Sequence, residues 1–243
     1  MGEALKLSTS WCRFLSTVWY NCSMSHTRGL VLHIDDQILV AAKPTGIAAV
    51  PGGWEQDAPS LLETLTAEHG RLWIVHRLDK ITSGVIVYAR TAEAHRTLSL
   101  LFESRQVHKT YHAIVCGSPD WNEYACRLPL RADVGHSHRT AINHSEGQAA
   151  LTRFHVRERF RAYTLLEAAP ETGRTHQIRA HIAALRFPIL ADSLYRAPAT
   201  ELIGRPALHA YSLEFEYRNQ PLSFTAPYPQ DFLQALEKLR TGR

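Results

Sequence analysis

The chain lacks most of what would mark a membrane protein, a disulfide scaffold or a nucleotide-cofactor enzyme. Its 243 residues contain four cysteines, Cys12, Cys22, Cys116 and Cys126, with no CxxC pair and no histidine at zinc-finger spacing. Neither a disulfide framework nor a structural zinc site is expected from that usage, which fits a reducing, cytoplasmic setting. No stretch approaches the ~20 apolar residues of a bilayer-spanning helix, and the N-terminus has no continuous apolar core of the signal-peptide kind, so no membrane partner is expected. No Gly-rich phosphate or dinucleotide loop follows a strand-like run, and no cofactor is expected. Repeats and low-complexity linkers are also missing, which leaves residues 30–240 as one domain.

What is present is a globular composition: 45% hydrophobic residues and a net charge of +4 from 27 Lys and Arg against 23 Asp and Glu. The charge is a mild bias toward polyanions. The first 29 residues are rich in Ser and Thr and hold Glu3 as their one acid. They read as a poorly ordered extension; the alternatives are an organellar transit peptide, or a true start at Met24. Leu30–Ile34 and Ile38–Ala42 read as strands around Asp35 and Asp36, the second running into the preset turn Lys43-Pro44-Thr45-Gly46. Residues 59–69, 91–105 and 229–240 read as helices, the last with Phe232, Leu233, Leu236 and Leu239 inward. Residues 85–89, 110–115, 151–157, 163–168 and 208–217 are β-rich, several of them adjacent without a helical crossover. An α+β fold follows, its sheet mixed and mainly antiparallel, flanked by helices.

The most informative segment is His76-Arg77-Leu78-Asp79-Lys80-Ile81-Thr82-Ser83-Gly84. Taken alone, a carboxylate between bases is a solvated charged turn; in a loop ahead of a buried strand it is also where a reactive group can be held. Two further segments stand out: Lys109-Thr110-Tyr111-His112-Ala113-Ile114-Val115, and Thr172-Gly173-Arg174-Thr175-His176-Gln177-Ile178-Arg179-Ala180-His181. Together with Lys43-Pro44-Thr45-Gly46 and Arg205-Pro206-Ala207-Leu208-His209-Ala210, these resemble, in order, the motifs of the RluA-type RNA pseudouridine synthases, whose signature is HRLDxxTSG. The resemblance spans about residues 30 to 228 and implies that family's catalytic fold with a central RNA-binding cleft.

The resemblance also implies roles. Asp79 would be the catalytic carboxylate, Tyr111 the ring against the target uracil, and Arg179 the guanidinium paired with Asp79. Arg77 would enter the RNA stack where the flipped base has left; His76, Lys43, Lys80, Lys109, Arg174 and His176 would be further RNA contacts. The substrate would be tRNA or rRNA and the protein a monomer, isomerising uridine to pseudouridine. Where relatives have GDxxYG, this chain reads Ala191-Asp192-Ser193-Leu194-Tyr195-Arg196, a departure expected to touch the loop and no catalytic role. An N-terminal S4-type domain, present in many relatives, is not expected from 29 residues.

Two other functions are weighed against this one. A non-catalytic RNA-binding protein retaining the synthase fold would be favoured had Asp79, Tyr111 or Arg179 been replaced, and all three are present. A phosphoryl-transfer enzyme is suggested by His76-Arg77-Leu78-Asp79 alone, without the Gly-rich loop or DFG triplet it would need. Fourteen histidines invite a metal, notably His136, His138 and His144, but no acid or cysteine completes a ligand set, and His176 and His181 are five apart where HExxH needs four. No metal is expected, and 131–144 reads as a polar, RNA-facing loop.

Overall fold

In a computed structural model of the chain the described residues are Thr27, 29–52, 59–135 and 139–242. The expectation for residues 1–29 lies almost wholly outside them, as do His136 and His138. The elements run β1 (Val31–Ile34), β2 (Ile38–Lys43), α1 (Leu61–His69), β3 (Trp73–Ile74), β4 (Ser83–Ala89), α2 (Ala92–Glu103), β5 (His108–Cys116), β6 (Glu123–Cys126), β7 (Leu130–Val134) and β8 (Arg139–Ile142). β9 (Thr152–Arg159), β10 (Tyr163–Pro170), α3 (Gln177–Ala184), a 3₁₀ turn (Ser193–Tyr195), β11 (Leu208–Tyr217), β12 (Gln220–Thr225) and α4 (Gln230–Thr241) complete the chain.

Local chemistry sets the helix starts. Ser60 caps α1 in a reciprocal capping box with Glu63, so Pro59 lies before the cap and not in the first turn. Thr91 caps α2, its hydroxyl accepting from the Ala94 N–H. In α4 the inward positions are Phe232, Ala235 and Leu236, with Leu239 partly covered. Leu233, expected inside, is 38% exposed, because the buried stripe follows the i, i+3, i+4 spacing from Phe232.

Among the described residues ten strands join one sheet in the order β1-β2-β4-β11-β5-β10-β9-β6, with β12 added to β11 and β3 to β4. Neighbouring strands are antiparallel except for β4 and β11, which pair in parallel. The architecture is α+β with a mixed, mainly antiparallel sheet. β4 is buried at all seven positions, as a strand covered on both faces must be. β12 was not legible because Pro221 argues against a strand; it pairs only with β11, where a proline is tolerated. The 131–144 stretch, expected as a loop, contains the hairpin β7–β8, with Leu130 and Thr140 buried beneath its polar residues.

The buried side chains fall into two main clusters. One lies around β2, β4, α1 and α2, the other around β5, β9, β10, α3 and α4. Tyr111 packs against both. β11 is therefore the seam between the two cores, since its Leu208 belongs to one cluster and its Ala210, Leu213, Phe215 and Tyr217 to the other. No helix among the described residues is long and apolar enough to cross a membrane.

Candidate active site

The loop that carries Asp79 is fixed from three directions. Within it, the Thr82 N–H donates to the Asp79 carbonyl at 3.0 Å. From the Lys43–Gly46 turn, Lys43 Nζ donates to Lys80 O at 3.1 Å, Gly46 N–H to Lys80 O at 2.8 Å, and Thr45 Oγ1 to Ile81 O at 2.9 Å. From the segment before β11, Arg205 Nη1 reaches Ile81 O at 3.5 Å, while its Nε and Nη2 form a fork on Asp231 of α4. Separate stretches of chain thus converge on the carbonyls of two residues next to the carboxylate.

Thr82-Ser83-Gly84 then enters β4 against β11, where Ser83 pairs with His209 and Gly84 with Ala210. A Cβ on Gly84 would lie 2.1 Å from Ala210 O, and its φ of +122° is one that L residues rarely adopt. Ser83 Oγ lies 3.0 Å from His209 Nδ1, and His209 Nε2 lies 3.1 Å from Ala226 O. A carbonyl only accepts, so Nε2 carries the hydrogen and Ser83 donates to Nδ1. Burial, with a further push from Arg205, lowers the His209 pKa to about 4.

Asp79 opens onto a cleft of about 510 Å³ whose walls include Arg77, Lys109, Tyr111, Arg174, His176 and Arg179. The Asp79 side chain is 26% exposed, and Arg179 Nη1 and His176 Nε2 each lie 3.7 Å from its Oδ2. Arg179 is buried, and its Nε and Nη2 hold Asp192 in a fork at 2.7 and 2.9 Å. Burial opposes its charge, but Asp192 and then Asp79 outweigh it and raise the Arg179 pKa. The guanidinium also lies 5.1 Å over the Tyr195 ring. Tyr111, on β5, has its phenol pKa pushed up by burial and by the Asp79 anion. The site therefore sets the Asp79 carboxylate beside a fixed cation, a protonated phenol and an imidazole.

The Thr172–His181 segment is organised by buried polar bonds. Thr172 Oγ1 donates to Gln177 Oε1 at 2.6 Å, and Gln177 Nε2 donates to Leu151 O and Thr152 Oγ1, both at 2.9 Å. His181 Nε2 donates to Leu128 O at 2.8 Å, so its Nδ1 accepts from Thr152 Oγ1 at 2.9 Å. These bonds tie the start of α3 to β9 and aim Arg179 and His176 at Asp79.

Not every expected RNA contact faces the cleft. Lys43 is 1% exposed; its three ammonium protons are taken by Pro44 O, Ile47 O and Lys80 O. Burial draws its pKa down to about 7, against the pull of Asp79, and the side chain is a staple for the loop with no surface to offer a phosphate. His76 lines the cleft, but its ring stacks on Phe102 at 4.5 Å and its Nε2 accepts the Val87 N–H at 3.1 Å. Burial and Lys109 lower its pKa to about 3, so it is a neutral positioning group and not a cationic contact. Arg77 and Arg174 are exposed at the cleft; Lys109 is half-buried, with Nζ 3.4 Å from Thr172 O, and Lys80 is exposed on the adjoining turn.

Asp192 and Tyr195 were missed. The stretch that departs from GDxxYG supplies both, and Ala191 and Arg196, at its two departing positions, have left-handed φ values of 63°. The loop bears on Arg179 through Asp192 and Tyr195, which match the GDxxYG pattern, and not through the two positions that depart from it. The signal was available in the spacing of Asp192 and Tyr195, but only the tertiary structure reveals their partners. Among the described residues no group of three or more His, Cys, Asp or Glu side chains could hold a metal ion.

The comparisons with known proteins agree on one family. The profile described as RNA pseudouridylate synthase matches residues 37–184. Ribosomal large subunit pseudouridine synthase D of Xanthomonas campestris pv. campestris is 38% identical over 230 residues, covering 86% of this chain and 69% of that protein. Dual-specificity RNA pseudouridine synthase RluA of Vibrio cholerae is 35% identical over 209 residues, covering 86% and 85%. Among solved structures, Human RNA Pseudouridylate Synthase Domain Containing 4 superposes with a TM-score of 0.73 at 27% identity, covering 88% of this chain and 94% of the other.

Proposed function

Because the chain belongs to the RNA pseudouridylate synthase family, in its RluA-type branch, and isomerises uridine in RNA, we propose that Asp79 is the carboxylate that performs the reaction on a base flipped into the Asp79 cleft. The observation that carries this reading is the convergence on Asp79 of Arg179 and His176, each 3.7 Å away, in a cleft that Tyr111 also lines. The isomerisation breaks the bond from N1 to C1′, turns the uracil and rejoins it through C5. A carboxylate can assist as a nucleophile or by drawing a proton to form a glycal, and in both routes it works beside the Arg179 guanidinium, 3.7 Å away.

Flipping the base costs a few kcal/mol of unstacking. Tyr111 offsets part of this by offering the uracil a face, worth about 1 to 3 kcal/mol in comparable stacks. Arg77, exposed at the rim, fills the gap in the RNA, and Arg174 takes phosphate charge. The target is a uridine in a structured ribosomal or transfer RNA, in a loop where stacking is already weak.

The test is Asp79→Asn, with RNA binding and pseudouridine formation measured separately on one stem-loop. Binding within about threefold of wild type together with a loss of at least 10²-fold in product formation is expected, the scale of a removed catalytic group. Product formation at the wild-type rate contradicts the assignment of Asp79.

A further inference from the structure

The Tyr195 hydroxyl fixes the tautomer of His176. Its oxygen lies 3.0 Å from Thr140 O and 3.1 Å from the Thr140 N. The carbonyl can only accept, so the phenol proton goes there, and the N–H takes one lone pair of the phenol oxygen. The third contact, 3.3 Å to His176 Nδ1, must then be donated by the imidazole. His176 Nε2 is left as a bare lone pair, 3.7 Å from Asp79 Oδ2. The ring is held there by its backbone, which is left-handed at φ 50°, ψ 21° at the cap of α3.

The groups facing this imidazole are Asp79 and Arg77 from the loop before β4, Arg179 from α3, and Asp192 and Tyr195 from the segment after α3. Burial, helped by Arg179 and Arg77, outweighs the two carboxylates and lowers the His176 pKa, which keeps the ring neutral and able to accept a proton at neutral pH. Tyr111 is the other candidate, but burial and Asp79 keep its phenol protonated, which suits it to stacking and not to accepting.

We propose that His176 is the proton-accepting partner of Asp79: a positioning residue that takes up, through the Asp79 carboxylate, the proton that leaves C5 of the uracil. This rests on the reading of Asp79 given above. After C5 has bonded to C1′, the C5–H bond breaks and its electron pair restores the ring double bond. The proton passes to the carboxylate and on to Nε2, then to water, while N1 takes a proton from water. Nothing is gained or lost overall, as an isomerisation requires. A separation of 3.7 Å is long for a hydrogen bond, and such pairs shorten when substrate closes the site.

The experiment is single-turnover tritium release from RNA carrying 5-tritiated uridine, followed across pH, with RNA affinity measured in parallel. His176→Asn is the informative variant, since Asn tolerates the left-handed backbone but supplies no base. Release is expected to fall on the order of 10²-fold with RNA affinity unchanged and the acid limb of the wild-type profile gone, and imidazole to restore about tenfold to His176→Ala. Undiminished release in His176→Asn overturns the proposal. A loss that keeps the acid limb and ignores imidazole also overturns it, because that is the pattern of a purely structural role. Asp79→Asn run alongside separates the two readings. Release that persists there overturns the reading of Asp79 and this proposal with it, whereas no release there, beside undiminished release in His176→Asn, overturns the role of His176 alone.

Discussion

Lys43 and Arg174 are both cations near Asp79, yet their surroundings give them different work. Lys43 has spent its three protons on carbonyls, while Arg174 is exposed on the cleft wall and reaches Ala149 O at 3.3 Å through Nε alone. Salt dependence of RNA binding tells the two apart. Arg174→Ala is expected to reduce the slope of log affinity against log salt by about 0.7 to 0.9, the release of one counterion. Lys43→Met should leave that slope unchanged and instead lower stability by about 1 to 3 kcal/mol for each carbonyl left unpaired. A slope that changes for Lys43→Met would restore it as an RNA contact. Sequence could not separate these residues, because a lysine beside a Pro-Gly turn looks exposed until the chain folds over it.

Elements follow the same division between local and distant information. β2, β4 and β11 were legible because their apolar runs are buried in place, and α2 because Thr91 and the Ala94, Leu98 stripe are local. Asp79 could be singled out because the motif around it is contiguous. The fork of Arg179 on Asp192 was not: thirteen residues separate the partners, and nothing in either stretch names the other. The hairpin β7–β8 was hidden by its polar, exposed residues, which look like a loop when read without a partner strand. In the segment that supplies Asp192, Ala191 and Arg196 hold φ values of 63°, a conformation that costs an L residue roughly 1 to 2 kcal/mol. Replacing either by Gly should therefore raise stability by up to about 1 kcal/mol, after the entropy Gly adds to the unfolded chain. For a chain of this size that is a rise in melting temperature of roughly 2 to 4 °C. A fall would mean that the side chains of Ala191 and Arg196 contribute contacts that outweigh the strain.

At the scale of the whole molecule, two cores meet along β11, with buried histidines around it. His209 on β11 bonds Ser83 on β4, and His112, adjacent to Tyr111 on β5, bonds the Tyr228 hydroxyl and stacks on Tyr211 at 4.1 Å. Burial lowers both pKa values from the ordinary 6.5 to about 4. The unfolded chain then binds more protons between those limits, so the contribution is complete above pH 6.5 and lost as pH falls toward 4. Each histidine accounts for on the order of 3 kcal/mol of that loss. Urea unfolding should show a steep decline in stability across this window, and a flat profile would mean that these rings are charged in the fold or reach water.

The cleft proposed for the chemistry borders this seam, since the Asp79 loop leads into β4 beside β11, Tyr111 packs against both cores and α3 brings Arg179 and His176 to the same cleft. The most direct measurement is a crystal structure of the Asp79→Asn variant bound to an RNA stem-loop that the wild-type enzyme modifies. A uridine turned out of the stack, its ring against Tyr111 and its C1′ within about 3 to 3.5 Å of residue 79, is the predicted result. RNA seated elsewhere on the surface, with the target base still stacked and the Asp79 cleft empty, would contradict the account.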